Sequence, residues 1–391
     1  MSANPHIDPG LRESAAMIPV YGQLPFVPVR ATGCTIVTSD GRRILDLYGG
    51  HAVAALGYGH RRLVEAIHRQ SSDLLFQSNA VALDIRAEAA EQLLSIAPSS
   101  LSRAFFVNSG AEANENALRM ALVATGRNRI LAITHGFHGR TAAAGAVTWN
   151  AKPWYGFPDT PFEVEFIPRD DVDAAAKMIR DDTAAVIFEP IQGVAGAYDL
   201  SPGFVSTLRD ATRKHGAMLI ADEVQSGIGR SGHYFAVQGF DVEPDIMSCA
   251  KALGGGIPCG AVVCTDAIAS NFGPGDLGST FGGGPVAAAA VVAVIEAIRS
   301  ESLLDNVRAR EQQIREQCLT GPVRRIRGKG LLLGLVCDRP AAEVRDSLLG
   351  HDILAGTSSD PHVLRILAPL VIEEHHISRL ADALSTIGKT T

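Results

Sequence analysis

The chain has 391 residues, 46% of them hydrophobic and 20% charged, with a net charge of −7 at pH 7. That length favours one large domain plus a smaller one over a single small core. The acidic balance lacks the basic face that marks nucleic-acid binders, and no uninterrupted apolar run is long enough for a bilayer span, so nucleic acid and membrane are set aside as main partners.

At the start, Met1-Ser2-Ala3-Asn4-Pro5 has neither the basic beginning nor the apolar run of a signal peptide, and a cytoplasmic location is expected. The six cysteines form no CxxC pair and sit mostly in apolar contexts, as reduced core residues do; no metal site is expected. A turn-rich lead from Tyr21 to Pro25 precedes a short strand near Phe26 to Arg30 and an alternating strand Cys34 to Val37. Ser39-Asp40-Gly41-Arg42 then reads as a hairpin turn into Ile44 to Leu47. Helical spacing follows over Arg61 to Gln70 and Asp84 to Ala97.

Ala104-Phe105-Phe106-Val107 reads as a buried strand, and Asn108-Ser109-Gly110-Ala111 carries the chain into a helix running to about Thr125. A strand, a small-residue turn and a helix start offer free amides to an anion, so Ser109, Gly110 and Ala111 are a candidate phosphate seat. A plain βα turn capped by Ser109 is the competing reading. Strands at Arg129 to Ile133, Val164 to Ile167, Ala185 to Phe188 and Met218 to Ala221 alternate with helices near Val172 to Arg180 and Gly203 to His215. This alternation predicts a mainly parallel sheet with helices on both faces.

The link His135-Gly136-Phe137-His138-Gly139-Arg140-Thr141 leaves the carboxyl end of a strand, where Phe137 can lie against an aromatic cofactor and Arg140 can clamp a carboxylate. Glu189-Pro190-Ile191-Gln192-Gly193 ends the next strand on the same edge. Asp222 closes the apolar strand Met218 to Ala221 at the edge where open α/β sheets bind ligands, and an acid buried there needs a cationic partner. Lys251, in the setting Cys249-Ala250-Lys251-Ala252-Leu253, is placed to lose its proton and act as an amine nucleophile. A lysine that attaches to an aldehyde and a carboxylate that faces a pyridinium nitrogen are together what pyridoxal phosphate requires. A solvated lysine and an N-cap aspartate are the bland alternatives.

Two patterns are discounted. Gly227-Ile228-Gly229-Arg230-Ser231-Gly232 fits a dinucleotide fingerprint, but Asp222 to Gln225 intervene after the strand and no helix opens on the last glycine. Glu373-Glu374-His375-His376 resembles a metal cluster, yet it falls in the first turn of the last helix, where acids suit the dipole.

Taken in order, these motifs resemble the class III (subgroup II) aminotransferases dependent on pyridoxal phosphate, of fold type I, and most of all the acetylornithine and ornithine aminotransferases. The likeness runs from Tyr21-Gly22-Gln23-Leu24-Pro25 to Val363-Leu364-Arg365-Ile366, through Ser109 to Asn114, Phe137 to Thr141, Asp222 to Gln225, Lys251 and Gly278-Ser279-Thr280-Phe281-Gly282-Gly283. The resemblance implies an α/β fold with a large domain built on a mostly parallel sheet and a smaller α+β domain. Residues 1–50 would lie on the small-domain side, 51–298 would bind the cofactor and 299–391 would form the C-terminal small domain. Lys251 would hold the cofactor and shuttle a proton, Asp222 would face the ring nitrogen, Gln225 the ring hydroxyl and Phe137 a ring face. Ser109, Gly110 and Ala111 would hold the phosphate, with Thr280 completing the site of a neighbouring subunit in a homodimer with shared active sites. Arg365 and Arg140 would take carboxylates of an amino donor and of 2-oxoglutarate, with Tyr21, Ser78 and Asn79 nearby.

The implied reaction moves an amino group from acetylornithine or an ornithine-like donor to 2-oxoglutarate by a ping-pong route in arginine-type biosynthesis. An ω-amino-acid or amine–pyruvate transaminase, or a secondary-metabolite enzyme on the same scaffold, is the alternative; a mutase or racemase and a non-catalytic binding protein stand further off. Val194 stands where the family commonly has a glutamate that pairs with the arginine at 365, while Gly278 and Gly284 replace larger residues. An Arg365 without that acid stays free for carboxylates in both half-reactions.

Overall fold

The computed structural model describes residues 9–388, so the Met1 to Pro5 stretch lies outside the described residues. After a helix at Pro9–Ala16, three short strands, β1 (Pro28–Thr32), β2 (Thr35–Thr38) and β3 (Arg43–Asp46), form an antiparallel meander through the predicted hairpin. Helices Arg61–Asp73 and Asp84–Ile96 follow, each within a few residues of its expected bounds.

The large sheet comprises β4 (Arg103–Val107), β5 (Arg129–Ile133), β6 (Glu163–Ile167), β7 (Thr183–Phe188), β10 (Met218–Asp222), β11 (Ile246–Cys249) and β12 (Gly260–Cys264); β8 (Ile191–Gln192) and β9 (Tyr198–Asp199) make a separate small ribbon. Its order is β4-β12-β11-β10-β7-β5-β6. Parallel pairing holds from β11 through β6, but β12 runs antiparallel to both β11 and β4. The sequence reading had neither β11 nor β12, because both are short and follow glycine- and proline-rich connections. β7 and β10 read as continuous apolar runs because both faces are covered by helices.

In the C-terminal part, β13 (Val323–Lys329), β14 (Leu332–Cys337) and β16 (Val363–Ile366) form an antiparallel sheet, flanked by helices Leu303–Gln317 and Glu374–Thr386. β15 (Ile353–Leu354) instead pairs parallel with β3, Ile353 opposite Leu45, and so ties the C-terminal part to the N-terminal meander. No helix among the described residues is long and apolar enough to cross a membrane. All six cysteines are buried and free.

Phe188 is fully buried on β7, opposite Ala221 on β10. The Phe188→Ala substitution is expected to cost about 3–5 kcal/mol of stability, read as a lower urea midpoint at unchanged denaturant slope.

Candidate active site

The register of the large sheet assembles the site. Asp222 lies opposite Ser248 on parallel neighbours β10 and β11, so Lys251, just past the end of β11, emerges on the same edge as Asp222. Lys251 starts a short 3-10 turn with φ of 46°, a left-handed conformation that a residue with a Cβ rarely adopts. Such a backbone at a candidate site marks a position held by its surroundings.

Asp222 is buried and fully engaged on one oxygen. Its Oδ2 accepts from Asn114 Nδ2 at 2.7 Å and from His138 Nδ1 at 2.6 Å, while Oδ1 accepts from the Val224 amide at 3.0 Å. Asn114 is fixed in turn by Ser248 Oγ, which donates to its Oδ1 at 2.6 Å. Helix Gly110–Thr125 thus reaches the carboxylate through Asn114, and the loop after β5 reaches it through His138. Asp222 Oδ1 keeps a lone pair to spare for a further donor.

Around this acid the environment sets proton affinities. Burial pushes the Lys251 ammonium below its ordinary value and Arg365 adds to this, while Asp222 and Glu189 pull it back up. Glu189, accepting from the amides of Phe137 at 2.8 Å and Gly193 at 3.1 Å, is pushed up to about 7, mainly by burial. An amine that burial makes easier to deprotonate therefore sits beside a glutamate that burial makes harder to ionise.

Arg365 on β16 is 6% exposed and has no carboxylate partner among the described residues. It donates to Thr357 O at 2.7 Å, Gly193 O at 3.2 Å and the Tyr48 hydroxyl at 2.9 Å. Burial lowers its proton affinity. Across the cleft, Ser109 caps helix Gly110–Thr125 by accepting from the Glu112 amide at 3.2 Å, and the Gly110 and Ala111 amides have no partner among the described residues. A Cβ on Gly110 would meet Val224 at 2.6 Å, so glycine there lets the helix start approach the loop after Asp222.

The profile of the aminotransferase class-III family matches residues 17–387. The chain is 40% identical over 380 residues to an acetylornithine aminotransferase of Methanosarcina mazei, covering 95% of this chain and 94% of the relative. The chain belongs to the class-III aminotransferases. Among solved structures, an ornithine aminotransferase from Toxoplasma gondii superposes with a TM-score of 0.90 at 26% identity, covering 97% of this chain and 94% of that one. An acetylornithine aminotransferase from Elizabethkingia anophelis gives 0.86 at 29% identity, covering 96% and 97%.

The residues of this aminotransferase fit the pyridoxal phosphate that its sequence resemblance implies. Gln225 Oε1 is buried without a partner, although its Nε2 donates to His51 O at 3.4 Å, and an unmatched buried acceptor suits a donor on a bound ring. The unpaired amides at Gly110 and Ala111 suit a phosphate, and the free lone pair of Asp222 suits a ring N–H. Phe137 lies on the loop between Glu189 and His138 that this cluster shares.

The other expected residues make contacts of their own. Arg140, itself exposed, stacks over Trp154 at 4.5 Å, with Phe137 at 6.0 Å. Tyr21 is 84% exposed. Asn79 Nδ2 donates to Ser279 O and Gly282 O, and the Ser78 carbonyl accepts from Arg86, so both brace the loop that carries exposed Thr280. The sequence reading assigned no role to Asn114, His138, Ser248, Tyr48 or His51. His138 and Asn114 stood inside the quoted motifs, but only the fold shows that both converge on one oxygen.

Glu223 is fully buried, with Val237 N donating to Oε1 at 2.6 Å and Ser226 Oγ to Oε2 at 2.5 Å, and its carboxyl is raised from 4.5 to about 7, chiefly by burial. The folded state therefore holds the proton more tightly, and this contribution to stability is whole below 4.5 and lost as pH rises towards 7. In Glu223→Gln the amide oxygen can still accept from Val237 N while the amide nitrogen donates to Ser226 Oγ, and nothing titrates. Its melting temperature should match the parent at about pH 5 and exceed it at about pH 8, measured by calorimetry.

Proposed function

We propose that this aminotransferase transfers an amino group from acetylornithine, or an ornithine-like donor, to 2-oxoglutarate with pyridoxal phosphate as cofactor, in arginine-type biosynthesis. The convergence of Lys251, Asp222 and the unpaired Gln225 acceptor on one sheet edge carries the reading. The acetylornithine aminotransferases at 40% identity over 95% of the chain support the donor.

When bound, the cofactor supplies an electron-withdrawing ring for charge developing at the reacting carbon. Lys251 anchors it and moves a proton at Nζ, a role suited to an amine whose proton affinity burial has lowered. Asp222 would accept the ring N–H through its free lone pair, and the Asn114 and His138 bonds keep the carboxylate from turning. Ser109 with the amides of Gly110 and Ala111 would hold the phosphate, Gln225 would accept from the ring hydroxyl, and Phe137 would pack on the ring. Arg365 seats a substrate carboxylate. Arg140, with Tyr21, Ser78 and Asn79 from the rim, completes substrate binding.

Thr280 serves the site of a second copy, making the unit a cytoplasmic homodimer with shared active sites. Supporting this, Thr280 adjoins an exposed apolar patch in which Phe76 and Phe281, 40% and 66% exposed, lie 5.2 Å apart. Residues 51–298 form the cofactor unit, and 1–50 with 299–391 form the smaller unit. The β3–β15 pairing supports that grouping.

A second reading has one observation behind it: with Val194 in place of an acid, Arg365 has no carboxylate partner among the described residues, so a donor that presents a carboxylate to it in both half-reactions is favoured.

Lys251→Ala should fold normally, retain phosphate-dependent cofactor binding and lose transamination by about 10⁴-fold. Turnover within tenfold of the parent would remove Lys251 from its assigned role. Val194→Glu places an acid next to the Gly193 carbonyl that Arg365 binds. Steady-state assays should show KM for the oxo acid rising about tenfold, with relative turnover of ω-amine donors increasing.

A further inference from the structure

Gly49-Gly50-His51-Ala52 form a single left-handed turn, with φ of 55°, 57°, 64° and 69°. Asp46 Oδ1 accepts the Tyr48 and Gly49 amides at 2.8 and 2.9 Å and holds this turn beneath β16. A Cβ at Gly49 would meet Leu367 O at 2.8 Å, so glycine there serves a close approach. No such space argument explains His51, whose side chain is exposed although its backbone is strained.

The imidazole belongs to a directed chain of hydrogen bonds. Arg365 Nη2, which can only donate, gives its proton to the Tyr48 oxygen at 2.9 Å. Tyr48 has no other acceptor among the described residues, so its own proton is assigned to His51 Nδ1, 2.8 Å away. Partial burial, then Arg365, then Lys251 push the His51 pKa below its ordinary value, and a ring whose Nδ1 accepts from Tyr48 is the neutral form. With Nδ1 accepting, the single ring proton is on Nε2, which has no partner among the described residues. The turn packs on the segment that carries Lys251, and the His51 carbonyl accepts from Gln225. His51 thus presents an N–H donor between Arg365 and Lys251.

We propose that His51 is a specificity-determining residue, donating from Nε2–H to the substrate carboxylate seated on Arg365. This rests on the reading of Arg365 as a carboxylate clamp. The donor adds a direction to the guanidinium's charge: a carboxylate or carbonyl oxygen can accept from it, whereas an ammonium cannot.

Glutarate, a non-reacting dicarboxylate, serves as the probe, titrated calorimetrically into the holoenzyme. His51→Leu should weaken glutarate about tenfold. His51→Gln, whose amide nitrogen stands near the Nε2 position, should recover to within about threefold, whereas His51→Asn should stay weak although asparagine suits positive φ and can still meet Tyr48. KM for the oxo acid should follow the same order and rise by more than kcat falls. Unchanged affinity in His51→Leu overturns the inference, as does recovery by asparagine but not glutamine, which would leave His51 only a support for Tyr48. Arg365→Ala separates the two readings: if glutarate still binds to it as to the parent, the clamp is wrong. If only Arg365→Ala loses binding, the clamp stands and His51 is wrong.

Discussion

The structure depends on accommodating one carboxylate at the end of a buried strand. Asp222 ends β10 where the sheet is covered on both sides, and a charge there is tolerated only with several donors. They come from three separate elements: Asn114 from helix Gly110–Thr125, His138 from the loop after β5, and Val224 from the chain just beyond. Ser248 on the neighbouring strand fixes Asn114 and thereby the amide's orientation. The same contacts that solvate the acid therefore lock the helix start, the aromatic-bearing loop and the strand leading to Lys251 into one register.

Arg365 is the opposite pole. It too is buried, yet its partners are carbonyls and a phenol, which satisfy its protons without neutralising its charge. Glu189, pushed up to about 7 mainly by burial and further by Asp222, favours the charged form of Arg365 from a distance without pairing to it. The site thus holds a buried acid and a buried guanidinium with no carboxylate partner among the described residues, and both act on Lys251. Lys251 lies between these fields, its proton affinity lowered by burial and Arg365 and raised by Asp222 and Glu189.

What could be read from the chain was whatever a local pattern encodes. β5, β7 and β10 are continuous apolar runs, and Lys251 and Asp222 stand out because charged residues in such settings demand a reason. β12 was missed because five residues beginning with glycine carry little period, and its antiparallel direction depends on a crossover that no short window contains. β13, Val323-Arg324-Arg325-Ile326-Arg327-Gly328-Lys329, has no period-two alternation, so its antiparallel pairing with β14, the next strand in the chain, has no local signature. His138 next to Phe137 and Arg140 drew less notice than either neighbour, since its meaning is a contact 84 residues away in sequence. Tyr48 and His51 gave no signal: a tyrosine and a histidine beside two glycines look like a turn until β16 brings Arg365 against them.

Close approach gives the cleft its rigidity. A Cβ at Gly193 would overlap Gln225 Oε1 at 1.9 Å, and one at Gly356 would overlap the Tyr48 ring at 1.8 Å. Each glycine thus lets backbone press directly on a side chain of the site, Gln225 in one case and Tyr48 in the other. Lys251 and His51, both at positive φ, face this from the other side, where the conformational cost of order 1–3 kcal/mol at each can persist only because the surrounding contacts exceed it. Strain and tight packing are therefore two aspects of one arrangement: functional side chains are aimed by backbone that has no room to relax. A site built in this way loses its aim through small volume changes at glycine as readily as through loss of a charged group.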